Sequence, residues 1–219
     1  MLIFVHVPKT AGSTFKSLIS KEFNSKDILV IDSPSWISEE LIVNRSNLPG
    51  SVAQKPNSNI KFMCGHFKAT KALNMYPDAT LITWLRNPVE RVVSQYYYYL
   101  GASYTHGVRT EHRTYDLVTL EDFIKYSSHQ NIATSLLDVP LDRFKFIGIK
   151  EHFKEELKRF NRVMGFNLNQ PTVDYNVNSK KQNINENYSV SEEIRELIRY
   201  HNKKDVEMYE ECLKKAGYK

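Results

Sequence analysis

The chain opens on Leu2-Ile-Phe-Val-His-Val7, a run of β-branched and aromatic residues that leads straight into Pro8-Lys-Thr-Ala-Gly-Ser13. Phe15, Leu18, Ile19, Glu22 and Phe23 then fall at helical spacing, with Glu22 the polar exception. Strand, tight loop and helix in this order constrain the fold more than any other feature, because the unit recurs. Asp27 to Asp32, Ile60 to Phe67, Thr80 to Arg86 and Phe144 to Ile149 read as further strands. Helical patterns lie between or after them, which predicts an α/β fold: three layers, with a central, mainly parallel sheet covered on both faces. In such sheets ligands sit at the carboxyl ends of the strands. Lys9 to Thr14, Asp32, Gly65-His66 and Arg86 are therefore the first candidates for chemistry.

The helix after Arg86 has the clearest start. Asn87 suits the N-cap, Pro88 the first helical position and Glu90 the capping-box partner. Val89, Val92, Val93, Tyr96, Tyr97 and Leu100 make its apolar stripe, expected to face the sheet, and Gly101 is expected to close it. Arg91, Ser94 and Tyr98 share another side. Leu120 to Tyr126 and Asn131 to Leu137 suggest two short helices, and Phe153 to Met164 an amphipathic one. From Ser191 onward one long helix is expected. Residues 33 to 59 read as a surface connection with a helix near Ser38 to Val43. Residues 102 to 118, with His106, Arg109, His112 and Arg113, read as a polar loop that could cover an acceptor. Residues 166 to 189 are Asn-rich and aperiodic. No repeat or linker divides the 219 residues, so residues 1–219 are expected to form a single domain.

Composition removes several classes. Hydrophobic residues make up 41% and charged residues 25%, enough apolar surface for a core and too much for disorder. No apolar run approaches the ~18 residues of a membrane span, and the opening stretch is too short for a signal-peptide core. The 2 cysteines, Cys64 and Cys212, have neither disulfide-scaffold nor metal-ligand spacing. Their expected state is two buried thiols in a reducing compartment. A net charge of +5 fits an anionic small ligand as well as nucleic acid and decides neither.

The loop after the first strand carries dense donor chemistry. Backbone N–H groups there and at the helix start favour an anion. Gly12 allows close approach, the hydroxyls of Thr10, Ser13 and Thr14 add donors, and Lys9 adds a mobile charge; Ala11 contributes backbone alone. The G-x-x-x-x-G-K-[ST] pattern of nucleotide triphosphatases is absent. The strand ending at Arg86 also lacks the Asp that would help hold Mg²⁺. Arg86 offers a planar fork that matches phosphate oxygens, with the Ser94 hydroxyl two turns into the following helix.

Taken together these segments resemble a known family. Phe4-Val-His-Val-Pro-Lys-Thr-Ala-Gly-Ser-Thr-Phe15 is similar to the 5′-phosphosulfate loop of sulfotransferases that use 3′-phosphoadenosine 5′-phosphosulfate (PAPS). Leu85-Arg-Asn-Pro-Val-Glu-Arg-Val-Val-Ser-Gln-Tyr-Tyr98 resembles their 3′-phosphate motif. Cys64-Gly-His-Phe67 and Phe146-Ile-Gly-Ile-Lys-Glu-His-Phe153 agree with the family that contains the heparan uronosyl 2-O-sulfotransferases. The resemblance implies a P-loop-kinase-like sulfotransferase fold. It implies that Lys9 and the amides around Thr10, Ala11, Gly12, Ser13 and Thr14 hold the 5′-phosphosulfate, and that Arg86 and Ser94 hold the 3′-phosphate. Lys180, within Asn178-Ser179-Lys180-Lys181, falls where the family folds a segment over the cofactor. The same resemblance puts the catalytic base at His66; Asp32, a carboxylate at another strand end, is the fallback base, and His6 reads as a packed residue.

The implied reaction moves a sulfuryl group from PAPS to a hydroxyl of an acceptor such as a glycan, leaving the bisphosphate PAP. Sulfuryl transfer is expected to pass through a loose, in-line transition state, so positioning and charge stabilisation carry most of it. A metal is not expected to be required, nor nucleic acid as a partner. With a reference pKa near ~6.5, a histidine can be neutral and basic at working pH. Two other classes stay open on the residues alone: an ATP-dependent small-molecule kinase and a non-catalytic polyanion-binding module. Absence of an anchor in this chain leads to the expectation of a cytoplasmic protein.

Overall fold

The computed structural model describes residues 1–31, 59–105, 119–171 and 189–218, with side chains of the second stretch described as far as residue 100. Asp32, Lys180, the segment expected near Ser38 to Val43, and the cluster of His106, Arg109, His112 and Arg113 lie outside the described residues.

Five strands, β1 (Leu2–Val5), β2 (Ile28–Ile31), β3 (Phe62–Gly65), β4 (Thr80–Leu85) and β5 (Phe144–Ile149), form one sheet in the order β2-β3-β1-β4-β5. Every pair is parallel. Around the sheet run α1 (Gly12–Ile19), α2 (Ala69–Met75), α3 (Pro88–Thr105), α4 (Leu120–Lys125), α5 (Ile132–Leu136), α6 (Phe153–Met164), α7 (Glu192–His201) and α8 (Lys203–Lys215). β1 is central because all four of its residues are buried and apolar, as a strand covered on both faces requires.

Alternate residues of the strands feed two cores. Ile3, Val5, Met63, Leu81 and Leu85 meet Ala69 and Ala72 of α2, Ile132 and Leu136 of α5, and Tyr209 and Cys212 of α8. On the opposite face Phe4, Phe62, Cys64, Ile82, Trp84 and Phe146 meet Phe15, Leu18 and Ile19 of α1 and Leu157 and Phe160 of α6. That second core is mainly aromatic, with Phe15 set edge-on to Phe4 and Phe160 at ring separations of 5.1 and 5.0 Å. Fully burying each such side chain contributes about 1.5–3 kcal/mol. Both cysteines are buried thiols, and burial pushes Cys212 up to about 11. No helix among the described residues is long and apolar enough to cross a membrane.

Four expectations need correction. The apolar stripe of α3 does not lie on the sheet: Val89, Val92 and Val93 pack with Phe123 and Ile124 of α4 and Ile198 of α7 in a third core made of helices alone. Gly101 does not end α3, which runs on to Thr105. The C-terminal helix is two helices, broken at Asn202, whose side chain donates to the Ile198 carbonyl at 3.0 Å and accepts from the Asn131 N–H at 3.0 Å. Finally, α2 has no counterpart among the expected helices. Its start is capped from far along the chain, Asp138 accepting from the N–H of Thr70 at 2.9 Å and from its hydroxyl at 2.6 Å.

Candidate active site

β1 lies between β3 and β4, so the carboxyl ends of these three strands lie side by side, and a crevice on the β4 side is lined by Val7, Thr10, Leu85 and Arg86. The chain leaves β1 toward β2 and leaves β4 toward β5, so this is also where the direction of winding reverses. Two bonds fix the floor: the Thr83 hydroxyl donates to the Val5 carbonyl at 2.8 Å, and the His6 N–H donates to the Gly65 carbonyl at 2.9 Å.

The loop from β1 to α1 turns sharply. Lys9 and Ala11 both sit in the left-handed region, at φ 67° and 66°, a conformation that costs non-glycine residues free energy and tends to persist where the surroundings enforce it. Successive N–H groups bent this way line a concavity suited to an anion. The Ala11 N-cap supplies no side-chain bond to α1, and the first turn of α1 holds no acidic residue. Its leading amides and the positive end of its dipole are thus not satisfied by a capping side chain. The Thr10 hydroxyl is turned inward, donating to the Val7 carbonyl at 2.7 Å. What Thr10 can offer an anion is its N–H. Thr14 is buried and Ser13 half-buried at the helix start.

Lys9 is half-buried, with Nζ 4.2 Å from the centre of the Tyr98 ring. Burial first, and the Arg86 guanidinium second, lower its ammonium to about 8. Arg86, at the end of β4, is buried and donates from Nη1 to the Lys9 carbonyl at 3.2 Å. The first and second candidate anion sites are therefore in contact. Ser94 is buried two turns along α3.

The start of α3 departs from the expected capping box in an informative way. Asn87 Oδ1 accepts from the N–H of Val89 at 3.0 Å and of Glu90 at 3.4 Å, as an N-cap should. The Asn87 N–H, however, donates to Glu151 at 3.0 Å. Glu90 is directed elsewhere, pairing with Arg86 at 3.8 Å and with Arg195 of α7 at 3.3 Å.

Behind Arg86 lies a second buried guanidinium. Arg91 donates to Gln95 at 2.7 Å and to the His129 carbonyl at 3.4 Å, with Asp205 4.0 Å from its Nε. Asp205 also accepts from the N–H groups of Ala133 and Thr134 at 3.0 and 2.8 Å, closing the start of α5. Burial and Arg91 together bring His129 down to about 4, so its ring is neutral. None of Glu90, Glu151 or Asp205 was among the candidates. For Asp205 the available signal was polar residues set within an inward stripe of the C-terminal helices: Ile198, Asn202, Asp205, Tyr209 and Cys212 follow a 4-3-4-3 spacing, and all are buried.

On the other flank of β1, Gly65 and His66 end β3. Gly65 sits at φ 157°, and a methyl group there would collide with the Ile31 carbonyl of β2, so only glycine fits. His66 is half-buried, its N–H donating to that same carbonyl at 3.3 Å. Its Nδ1 lies 2.7 Å from the His6 carbonyl oxygen. A carbonyl can only accept, so Nδ1 carries the proton, and in the neutral ring Nε2 keeps a lone pair.

The site thus combines a parallel α/β sheet, a left-handed loop after its central strand and a buried arginine bonded to that loop. The sequence model described as "Sulfotransferase family" matches residues 1–210, and the chain belongs to that family. Its membership agrees with the sulfotransferase fold that the motifs imply. No curated protein sequence matches the chain. Two solved structures are similar. Mouse sulfotransferase SULT7A1 complexed with PAP is 13% identical, covering 93% of this chain and 65% of that one, with a TM-score of 0.44. A sulfotransferase from Alicyclobacillus acidocaldarius is 14% identical, covering 96% and 94%, with a TM-score of 0.46. The chain thus spans about two thirds of the length of the mouse protein.

Proposed function

We propose that the chain transfers the sulfuryl group of PAPS to a hydroxyl of an acceptor, releasing PAP, in the manner of the family that contains the heparan uronosyl 2-O-sulfotransferases, with a glycan as the acceptor class. The observation that carries this reading is the contact of Arg86 with the Lys9 carbonyl, because it puts two cationic groups from two strands in one crevice. Donor groups in this crevice fit a nucleotide with acidic groups at both ends. The N–H groups of Thr10 to Thr14 and the Lys9 ammonium suit the phosphosulfate, and Arg86 with Ser94 suits the 3′-phosphate. Lys180 belongs to the same proposal as a residue folding over the donor.

In the transfer, negative charge grows on the bridging oxygen as its bond to sulfur lengthens. A positioned ammonium stabilises that charge, and the preorganised amides stabilise it without reorganising. Lys9 therefore acts on the leaving oxygen. Opposite it, His66 Nε2 takes the acceptor proton while Nδ1–H stays on the His6 carbonyl, which becomes a stronger bond once the ring is charged.

Titration of the protein with adenosine 3′,5′-bisphosphate, followed by an acceptor screen with donor labelled in the sulfuryl group, tests the assignment. Saturable bisphosphate binding that Arg86→Ala or Lys9→Ala removes is the expected result. Preference for ATP over the bisphosphate, or no binding of either, would sink it.

A further inference from the structure

The His6 side chain has no part in the transfer just described, yet it is packed against several groups of the site. Its ring stacks on Phe4, at 5.3 Å and 24°, and on His66, at 4.4 Å and 29°. Phe4 in turn is locked edge-on against Phe15, so the column is rooted in the aromatic core. At its edge the His6 ring meets Gly12, where a methyl group would strike the imidazole. One side chain therefore lies between the first residue of the anion-binding helix and the histidine at the end of β3.

We propose that His6 is a positioning residue for His66: its carbonyl and its ring together hold the His66 imidazole as the Nδ1–H tautomer, leaving Nε2 as the proton acceptor. This rests on the reading of His66 as the base.

The carbonyl supplies direction. It is itself fixed, because the His6 N–H continues the β1–β3 ladder onto Gly65 and the His66 N–H continues the β3 pairing onto Ile31. A bond to one ring nitrogen still lets an imidazole swing about the bond axis. The stacked ring removes that freedom, since only one plane of His66 lies flat on His6. Charge agrees with this role. Burial above all, then His66, Lys16 and Lys9, keep His6 far below the ordinary histidine range. A neutral ring beside His66 opposes a newly arrived proton less than a second imidazolium would.

The test needs no acceptor. Long-range proton–nitrogen correlation spectra of the ¹⁵N-labelled full chain identify the His66 tautomer, with His66→Gln to assign the signals. The wild-type chain should show His66 with its proton on Nδ1. His6→Leu keeps the backbone carbonyl but removes the flat face, and should raise the minor tautomer about five- to tenfold, the scale of one ordinary hydrogen bond. His6→Phe should restore the wild-type pattern. His66 protonated on Nε2 in the wild-type chain would overturn the proposal even if no variant folds, and so would an unchanged tautomer ratio in a folded His6→Leu chain. Failure of the wider reading appears separately. A wild-type chain that ignores the bisphosphate refutes the donor assignment, and a His66→Gln chain that transfers at full rate refutes the base, whatever the tautomer.

Discussion

The guanidinium of Arg86 donates to the backbone carbonyl of Lys9 across 3.2 Å, tying the end of β4 to the loop that follows β1. This bond does two things at once. It steadies a loop with two non-glycine residues in the left-handed region, and it brings the planar fork of Arg86 beside the Lys9 ammonium.

Arg86→Ala should therefore weaken bisphosphate binding by about two orders of magnitude or more, within the ~2–5 kcal/mol of a truncated buried charge pair. Arg86→Lys should lose most of the same affinity. Lysine keeps the charge but cannot serve the Lys9 carbonyl and a phosphate with one rigid fork. Calorimetric titration checks both, and a lysine variant with wild-type affinity would contradict the role given to the fork.

Because burial and Arg86 bring Lys9 down to about 8, the ammonium is partly discharged above that pH in the empty crevice. An arriving dianion favours the charged form, so binding should be accompanied by proton uptake near pH 8.5 and by none from Lys9 near pH 6. Titrations in buffers of different ionisation enthalpy measure this directly. The stability effect has a defined sign as well. With its folded value below the unfolded ~10.5, Lys9 binds fewer protons when folded, and its contribution rises with pH between about 8 and 10.5.

Asp205→Ala should destabilise the fold by about 3–5 kcal/mol in denaturant melts, since it strands the buried Arg91 charge and uncaps α5. Adding Arg91→Met should recover part of the loss, because the unpaired charge leaves with it. Strict additivity of the two changes would show that Arg91 and Asp205 do not act on one another.

Gly65→Ala combines a strained φ with a collision against the Ile31 carbonyl, and should cost at least ~2 kcal/mol. β2 would have to move aside, so amide protection of Ile28 to Ile31 should fall before that of β4. An unperturbed β2 would mean that His66 can be approached from that flank without displacing the strand.

The alternation of apolar runs and helical stripes made the parallel sheet legible, and the place of Pro8 to Ser13 and of Arg86 at strand ends was legible too, because strand ends are local properties. What was illegible is non-local. Nothing near Thr70 announces that Asp138 caps α2, and nothing near Glu90 says that Arg195 helps draw it from the capping box. The stripe of α3 shows that a helix buries an apolar face without showing against what, and here the partners are α4 and α7. His6 looked like packing because its ring does pack; its second role depends on a carbonyl that no side-chain pattern records. Likewise the left-handed backbone at Lys9 and Ala11 falls on residues that ordinarily avoid it.

The place of β1 between β3 and β4 has a geometric consequence. Lys9 rises from the middle strand, Arg86 from one neighbour and His66 from the other. In the reading proposed above, the leaving oxygen is served from the middle strand and the acceptor proton from its β3 neighbour. Under that reading, the grip on the donor and the acceptance of the proton rest on separate strands of one sheet.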